Sequence, residues 1–150
     1  MVHVSISPHG QICMVEMNGN FDSNRYCDLL KESVFPLIPY YMQDSPWVWQ
    51  QDNAPIHVSK HSLNFFEKES VEIFDWPARS PDLNIVENIF SYMSNQLYRG
   101  GKVYKRKNDL WAAMVKVFEE ISLDYIKKLY GSMGKKIGLV LLKKGGKIDY

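Results

Sequence analysis

Val2, Val4 and Ile6 alternate with His3, Ser5 and Ser7. That period of two marks a half-buried strand. Pro8-His9-Gly10-Gln11 reads as a tight turn, and Ile12 to Met17 is a second apolar run, ended by Asn18-Gly19-Asn20. Two such runs about a short Pro/Gly turn predict a hairpin. Asp22 or Ser23 caps a predicted helix to about Ile38, with Tyr26, Leu29, Leu30, Val34 and Leu37 at helical spacing. Pro36 and Pro39 end or distort it. Trp47 to Gln51 predicts a third strand, about Lys60 to Glu69 a short helix, and Val71 to Phe74 a fourth strand. The loop from Asp75 to Asp82 is dense in turn formers. The remainder is helical. Asn84 caps a helix to about Tyr98, stopped by Gly100-Gly101. A second helix runs from about Asn108 to Ile121, and Asp124 caps a third with Ile126, Leu129, Tyr130, Met133 and Ile137 on one face. Strands, then alternation, then helices predict an α/β fold with a mixed sheet.

The 150 residues are 45% hydrophobic, with four Trp, nine Tyr and seven Phe. One domain with a real core is expected, and disorder or a disulfide scaffold is excluded. Cys13 and Cys27 are expected to be free thiols. No run reaches the roughly 18 apolar residues of a membrane span, and the first residues lack the pattern of a secretory signal. The net charge of +1 gives no whole-chain signal for nucleic acid, so that case rests on local features.

Asp52 ends an apolar strand and enters a loop, the place where open α/β sheets bind ligands and where a carboxylate can hold a metal. It also suits a turn closed on its own Asn53-Ala54. Glu87 falls in the first turn of the helix begun by Asn84, where the dipole favours an acid, at the edge of the face made by Ile85, Val86, Ile89, Phe90 and Met93. His57 and His61 stand four apart, with no Cys or third His nearby. A hydrogen-bonding or solvent-facing pair is expected rather than a zinc site.

Gln50-Gln51-Asp52-Asn53-Ala54-Pro55-Ile56-His57 and the stretch from Trp76-Pro77-Ala78-Arg79-Ser80-Pro81-Asp82 to Asn84-Ile85-Val86-Glu87-Asn88 closely resemble the second and third catalytic motifs of the mariner-superfamily (Tc-type) transposases. Positions 52 and 87 leave 34 residues between them, the spacing of the Tc-type branch. Ser5 to Asn20, Ser23-Asn24-Arg25-Tyr26 and Leu37-Ile38 resemble the elements before the second Asp. Gly146 to Tyr150 resembles a family C-terminus, so the resemblance covers nearly the whole chain.

The resemblance implies a DDE-class, RNase H-like catalytic domain. In that family three carboxylates hold two Mg²⁺ or Mn²⁺ ions for in-line attack at DNA phosphorus, and hard cations prefer such oxygens. Asp52 and Glu87 match the second and third carboxylates and metal ligands. The first carboxylate, on the family's central first strand, has no match here; Glu16 and Asp22 lie outside any segment like it. The family's helix-turn-helix DNA-binding domains have no match either. The chain is therefore expected to be an N-terminally truncated, inactive fragment. It is also expected to fold poorly alone or to bring its two half-sheets together. The implied partners are transposon-end and target DNA and a second copy of the chain, and the implied place of action is the nucleus. Candidate DNA contacts are Arg79, Lys102, Lys105, Arg106 and Lys107, with Tyr98 and Tyr104 interleaved and Lys143, Lys144 and Lys147 in the tail. Two alternatives remain: a non-catalytic nucleic-acid-binding module, and another RNase H-like nuclease.

Overall fold

Strand β1 (Val2–Ser7) and strand β2 (Gly10–Glu16) form a two-stranded sheet. It is antiparallel: at its open end Met17 N donates to Met1 O (2.8 Å) and the Met1 ammonium donates to Met17 O (3.1 Å). The Ser7 hydroxyl closes the turn by donating to Gly10 O. The hairpin is the one predicted. The structure, a computed structural model, describes residues 1–43, 45–77 and 80–143. It divides into two compact units, residues 1–5 with 12–80 and residues 6–11 with 81–150.

In the first unit, helix α1 (Ser23–Leu29) starts where Asp22 Oδ1 accepts from Arg25 N at 3.0 Å. The chain then widens into a π-helical turn at Leu30–Val34, tightens to a 3₁₀ turn at Phe35–Leu37, and resumes as α2 (Ile38–Met42). The predicted helix thus runs past Ile38. Pro36 and Pro39 change its pitch but do not end it, because each sits in the first turn of the segment it opens, where no N–H is needed. Helix α3 (Lys60–Lys68) is capped by Ser59, which accepts from Ser62 N at 3.1 Å. Tyr26, Cys27, Leu30, Val34 and Phe66 are buried in one cluster with Ile12 and Met17. Phe35 stacks on Phe65 at 5.7 Å. Each fully buried side chain of this size contributes roughly 1.5–3 kcal/mol. Both cysteines are free, and burial pushes their thiol pKa values up.

The third and fourth predicted strands are reduced to one parallel bridge, Trp49 with Ile73. Trp49 N donates to Glu72 O and Phe74 N to Trp49 O, both at 2.8 Å. Parallel pairing is weaker per residue, and Pro46 and the Asp52–Pro55 turn bound the segment closely. Among the described residues no backbone pairing joins this bridge to the hairpin. Of the two expected outcomes, the merger of the half-sheets is not seen among the described residues. Side chains make the link instead: the His3 and Tyr26 rings lie 6.3 Å apart, and the Tyr26 and His57 rings 4.4 Å apart.

The second unit holds the longer helices. A 3₁₀ turn at Pro81–Leu83 leads into α4 (Ile85–Leu97), which buries Ile89, Met93 and Leu97. Gly100, at φ 72°, adopts the left-handed conformation that ends the segment. Helix α5 (Lys107–Glu119) and helix α6 (Leu123–Leu142) follow. The cap of α6 is Ser122, not the predicted Asp124, which falls within the first turn; the Ser122 hydroxyl accepts from Tyr125 N at 3.2 Å. Gln11 Nε2 donates to the carbonyls of Phe118 and Ile121, both at 2.8 Å, which ties Gln11 to the end of α5. Among the described residues no helix is long and apolar enough to cross a membrane.

Candidate active site

Asp52 follows directly on the bridged segment. Its Oδ1 accepts from Ala54 N at 3.0 Å, the turn its sequence suggested. The same oxygen lies 2.6 Å from His57 Nδ1. Both contacts of Asp52 among the described residues thus fall on Oδ1. The side chain is 57% exposed, whereas that of His57 is 20% exposed. The carboxylate is therefore held at one oxygen and open at the other.

The loop under it is fixed by side chains. Asn53 Nδ2 donates to Trp76 O at 2.9 Å, tying the Gln50–His57 motif to the start of the motif that opens at Trp76. Gln51 Oε1 accepts from the Tyr26 hydroxyl (2.6 Å) and from Trp49 Nε1 (3.2 Å), while Gln51 Nε2 donates to His57 O (3.2 Å). Burial pushes the Tyr26 pKa upward, so its proton stays in that bond. The neighbouring His3 is held at a pKa of about 4, first by burial and then by the nearby His57.

Glu87 lies in the second unit, in the first turn of α4 and exposed. Asn84 Oδ1 accepts from Val86 N at 3.0 Å, so the predicted cap sets where the helix begins. Lys136 of α6, only 7% exposed, donates to Asn88 Oδ1 (3.1 Å) and Asp82 O (3.3 Å). It pins the turn before α4 to the residue after Glu87. Burial lowers its pKa, against the pull of Asp82.

Four of the other candidates, all among the described residues, are surface groups. Lys102, Lys105, Arg106 and Lys107 are exposed. Lys102 Nζ sits 4.9 Å from the Tyr104 ring centroid, and Tyr104 packs edge-on to Tyr98. Arg106 makes a two-pronged pair with Asp109, both bonds at 2.9 Å. Arg79, Lys144 and Lys147 lie outside the described residues. His61 is exposed on α3 while His57 lies in the turn before it. Among the described residues no group of three or more His, Cys, Asp or Glu side chains gathers to hold a metal.

Sequence reasoning singled out Asp52 and Glu87 as candidates but missed what holds them. The His57–Asp52 contact had one available signal, the tight turn that a Pro forces between two polar residues five apart. The burial of Lys136 had none, since a lysine on a helix face reads as solvated.

Residues 1–110 match the DDE superfamily endonuclease family. The Tc3 transposase of Caenorhabditis elegans is 28% identical over 134 residues, which are 89% of this chain and 40% of that protein. The Tcb1 transposase of Caenorhabditis briggsae is 30% identical over 132 residues, 88% of this chain and 47% of that protein. The chain thus spans less than half the length of these relatives. The Mos1 transposase catalytic domain, in a structure with raltegravir and Mg, superposes with a TM-score of 0.87 at 16% identity, covering 99% of this chain and 76% of that one. The Mos1 mariner paired-end complex with Mn gives 0.87 at 15% identity, covering 99% and 44%. The fold is accordingly the mixed α/β, RNase H-like fold of that catalytic domain. With a family match over most of its length and the two motifs in place, this chain belongs to the DDE superfamily endonucleases and is a homologue of the Tc1/mariner transposases.

Proposed function

We propose that this chain serves DNA transposition as part of a Tc-type transposase catalytic domain, with Asp52 and Glu87 as two of its metal-binding carboxylates. One observation carries the reading. An exposed carboxylate, held through a single oxygen, stands in a chain whose fold follows a transposase catalytic domain over 99% of its length.

The donor chemistry fits a hard divalent cation. Mg²⁺ is commonly held by one or two carboxylates, with waters and substrate phosphate oxygens completing the shell. Asp52 and Glu87 are both exposed, and Oδ2 of Asp52 is available. When bound, the metal supplies charge neutralisation at the transferring phosphoryl group and a more acidic attacking water or hydroxyl. The chain's own residues do the positioning. Asn53 and Gln51 fix the Asp52 loop, Asn84 and Lys136 fix the start of α4, and Lys102, Lys105 and Lys107 offer phosphate contacts. Two carboxylates do not complete the three-ligand pattern, so strand cleavage is not expected from these 150 residues alone. DNA as partner implies action in the nucleus, and a second copy of the chain is the partner for pairing two DNA ends.

The test is binding of element-end DNA with Mg²⁺ against binding in EDTA. Metal-strengthened binding that Asp52→Asn and Glu87→Gln both weaken is expected. Affinity that ignores the metal and both substitutions would instead favour the binding-module reading, which the exposed lysines alone support.

A further inference from the structure

We propose that His57 is the positioning residue of the Asp52 carboxylate, fixing its rotamer through Oδ1 so that Oδ2 is presented to the cation. This rests on the metal-binding reading of Asp52 above.

The geometry forms a continuous path from the core to an exposed oxygen. Tyr26 is 1% exposed and belongs to the main cluster. Its ring lies against the His57 imidazole at 4.4 Å. Its hydroxyl orients Gln51, whose amide donates to the His57 carbonyl. The His57 backbone N–H donates to Ala54 O at 2.8 Å, closing the turn. Backbone, carbonyl and ring of His57 are thus each held, and only then does Nδ1 meet Oδ1 at 2.6 Å. A carboxylate only accepts, so this bond places the imidazole proton on Nδ1.

An unrestrained Asp on an exposed loop samples several rotamers and must lose that freedom when it binds a cation. A partner that holds one oxygen removes this cost beforehand and decides which oxygen faces outward. Groups that orient a metal ligand in this way typically change metal affinity about 10–100-fold when removed. An ordinary surface ion pair would not need the ring contact and the Gln51 brace.

The experiment is Mn²⁺ binding to the full chain, read from the free-ion EPR signal, with thermal melting of each variant in EDTA. His57→Phe keeps the ring against Tyr26 and deletes the donor. His57→Asn deletes the ring and keeps a donor near the Nδ1 position. Asp52→Asn removes the ligand. The expected result is loss of binding in Asp52→Asn, about 10–100-fold weakening in His57→Phe, and recovery toward wild type in His57→Asn. Wild-type affinity in His57→Phe, with binding lost in Asp52→Asn, would overturn the positioning role and leave the metal site standing. His57→Asn binding no better than His57→Phe would also overturn it, pointing to packing. Unchanged affinity in Asp52→Asn would remove the metal reading itself, and the positioning role with it.

Discussion

The ammonium of Lys136 lies 3.1 Å from Oδ1 of Asn88, 48 residues away in sequence. Lys136 is nearly buried and also donates to the Asp82 carbonyl, so α6 holds both sides of the turn that presents Glu87. Lys136→Met leaves both acceptors without that donor. It should cost about 1–3 kcal/mol of stability in denaturant unfolding. Asn88→Ala should cost less in the Lys136→Met background than in wild type, because the pair is already broken. Additive losses would show that the two side chains act independently.

Stability should also carry a signature of His3. Its pKa in the fold is about 4, against an ordinary value of 6.5. The folded state therefore favours the neutral ring, and between these values the unfolded chain binds more protons. The contribution is complete above about pH 6.5, declines as pH falls toward 4, and changes no further below that. His3→Gln should flatten the stability–pH curve in that window when unfolding is measured from pH 4 to 7. An unchanged slope would place the pH dependence elsewhere.

The basic stretch gives a third expectation. Lys102 and Lys105 are exposed, whereas Arg106 is engaged with Asp109. If these lysines meet phosphates, replacing each by Ala should reduce the slope of log affinity against log salt by about 0.9 on duplex DNA. Arg106→Ala should reduce it less. Filter binding across a salt series reads this directly, and a slope unmoved by either lysine change would count against phosphate contacts.

The hairpin was legible because Val2, Val4 and Ile6 alternate with polar residues and the Pro8–Gly10 turn is short. The start of α4 was legible because Asn84 is a strong cap in front of a periodic apolar face. The pairing of Trp47–Gln51 was not. An apolar run shows a buried segment, but how many residues find backbone partners depends on distant chain, here only Glu72 to Phe74. The pitch changes through Leu30–Leu37 were hidden because two prolines read as a stop unless each falls in a first turn. Ser122 displaced Asp124 as a cap because both satisfy the same local rule and the backbone chose between them. Asp52 and Glu87 stood out only through long motifs at a fixed spacing. Tyr26, Gln51 and His57 beneath Asp52, and Lys136 beneath the turn before α4, are tertiary contacts that no local pattern announces.

The central claim is that Asp52 and Glu87 are metal-binding carboxylates. Fe²⁺ in place of Mg²⁺, with ascorbate and peroxide, generates radicals that cut the backbone beside the bound ion, and mass spectrometry locates the cuts. Cuts near Asp52 that Asp52→Asn removes, and cuts near Glu87 that Glu87→Gln removes, both suppressed by Mg²⁺, are predicted. A cut near either carboxylate that survives that residue's own substitution, or no cutting near one of the two, would contradict the claim.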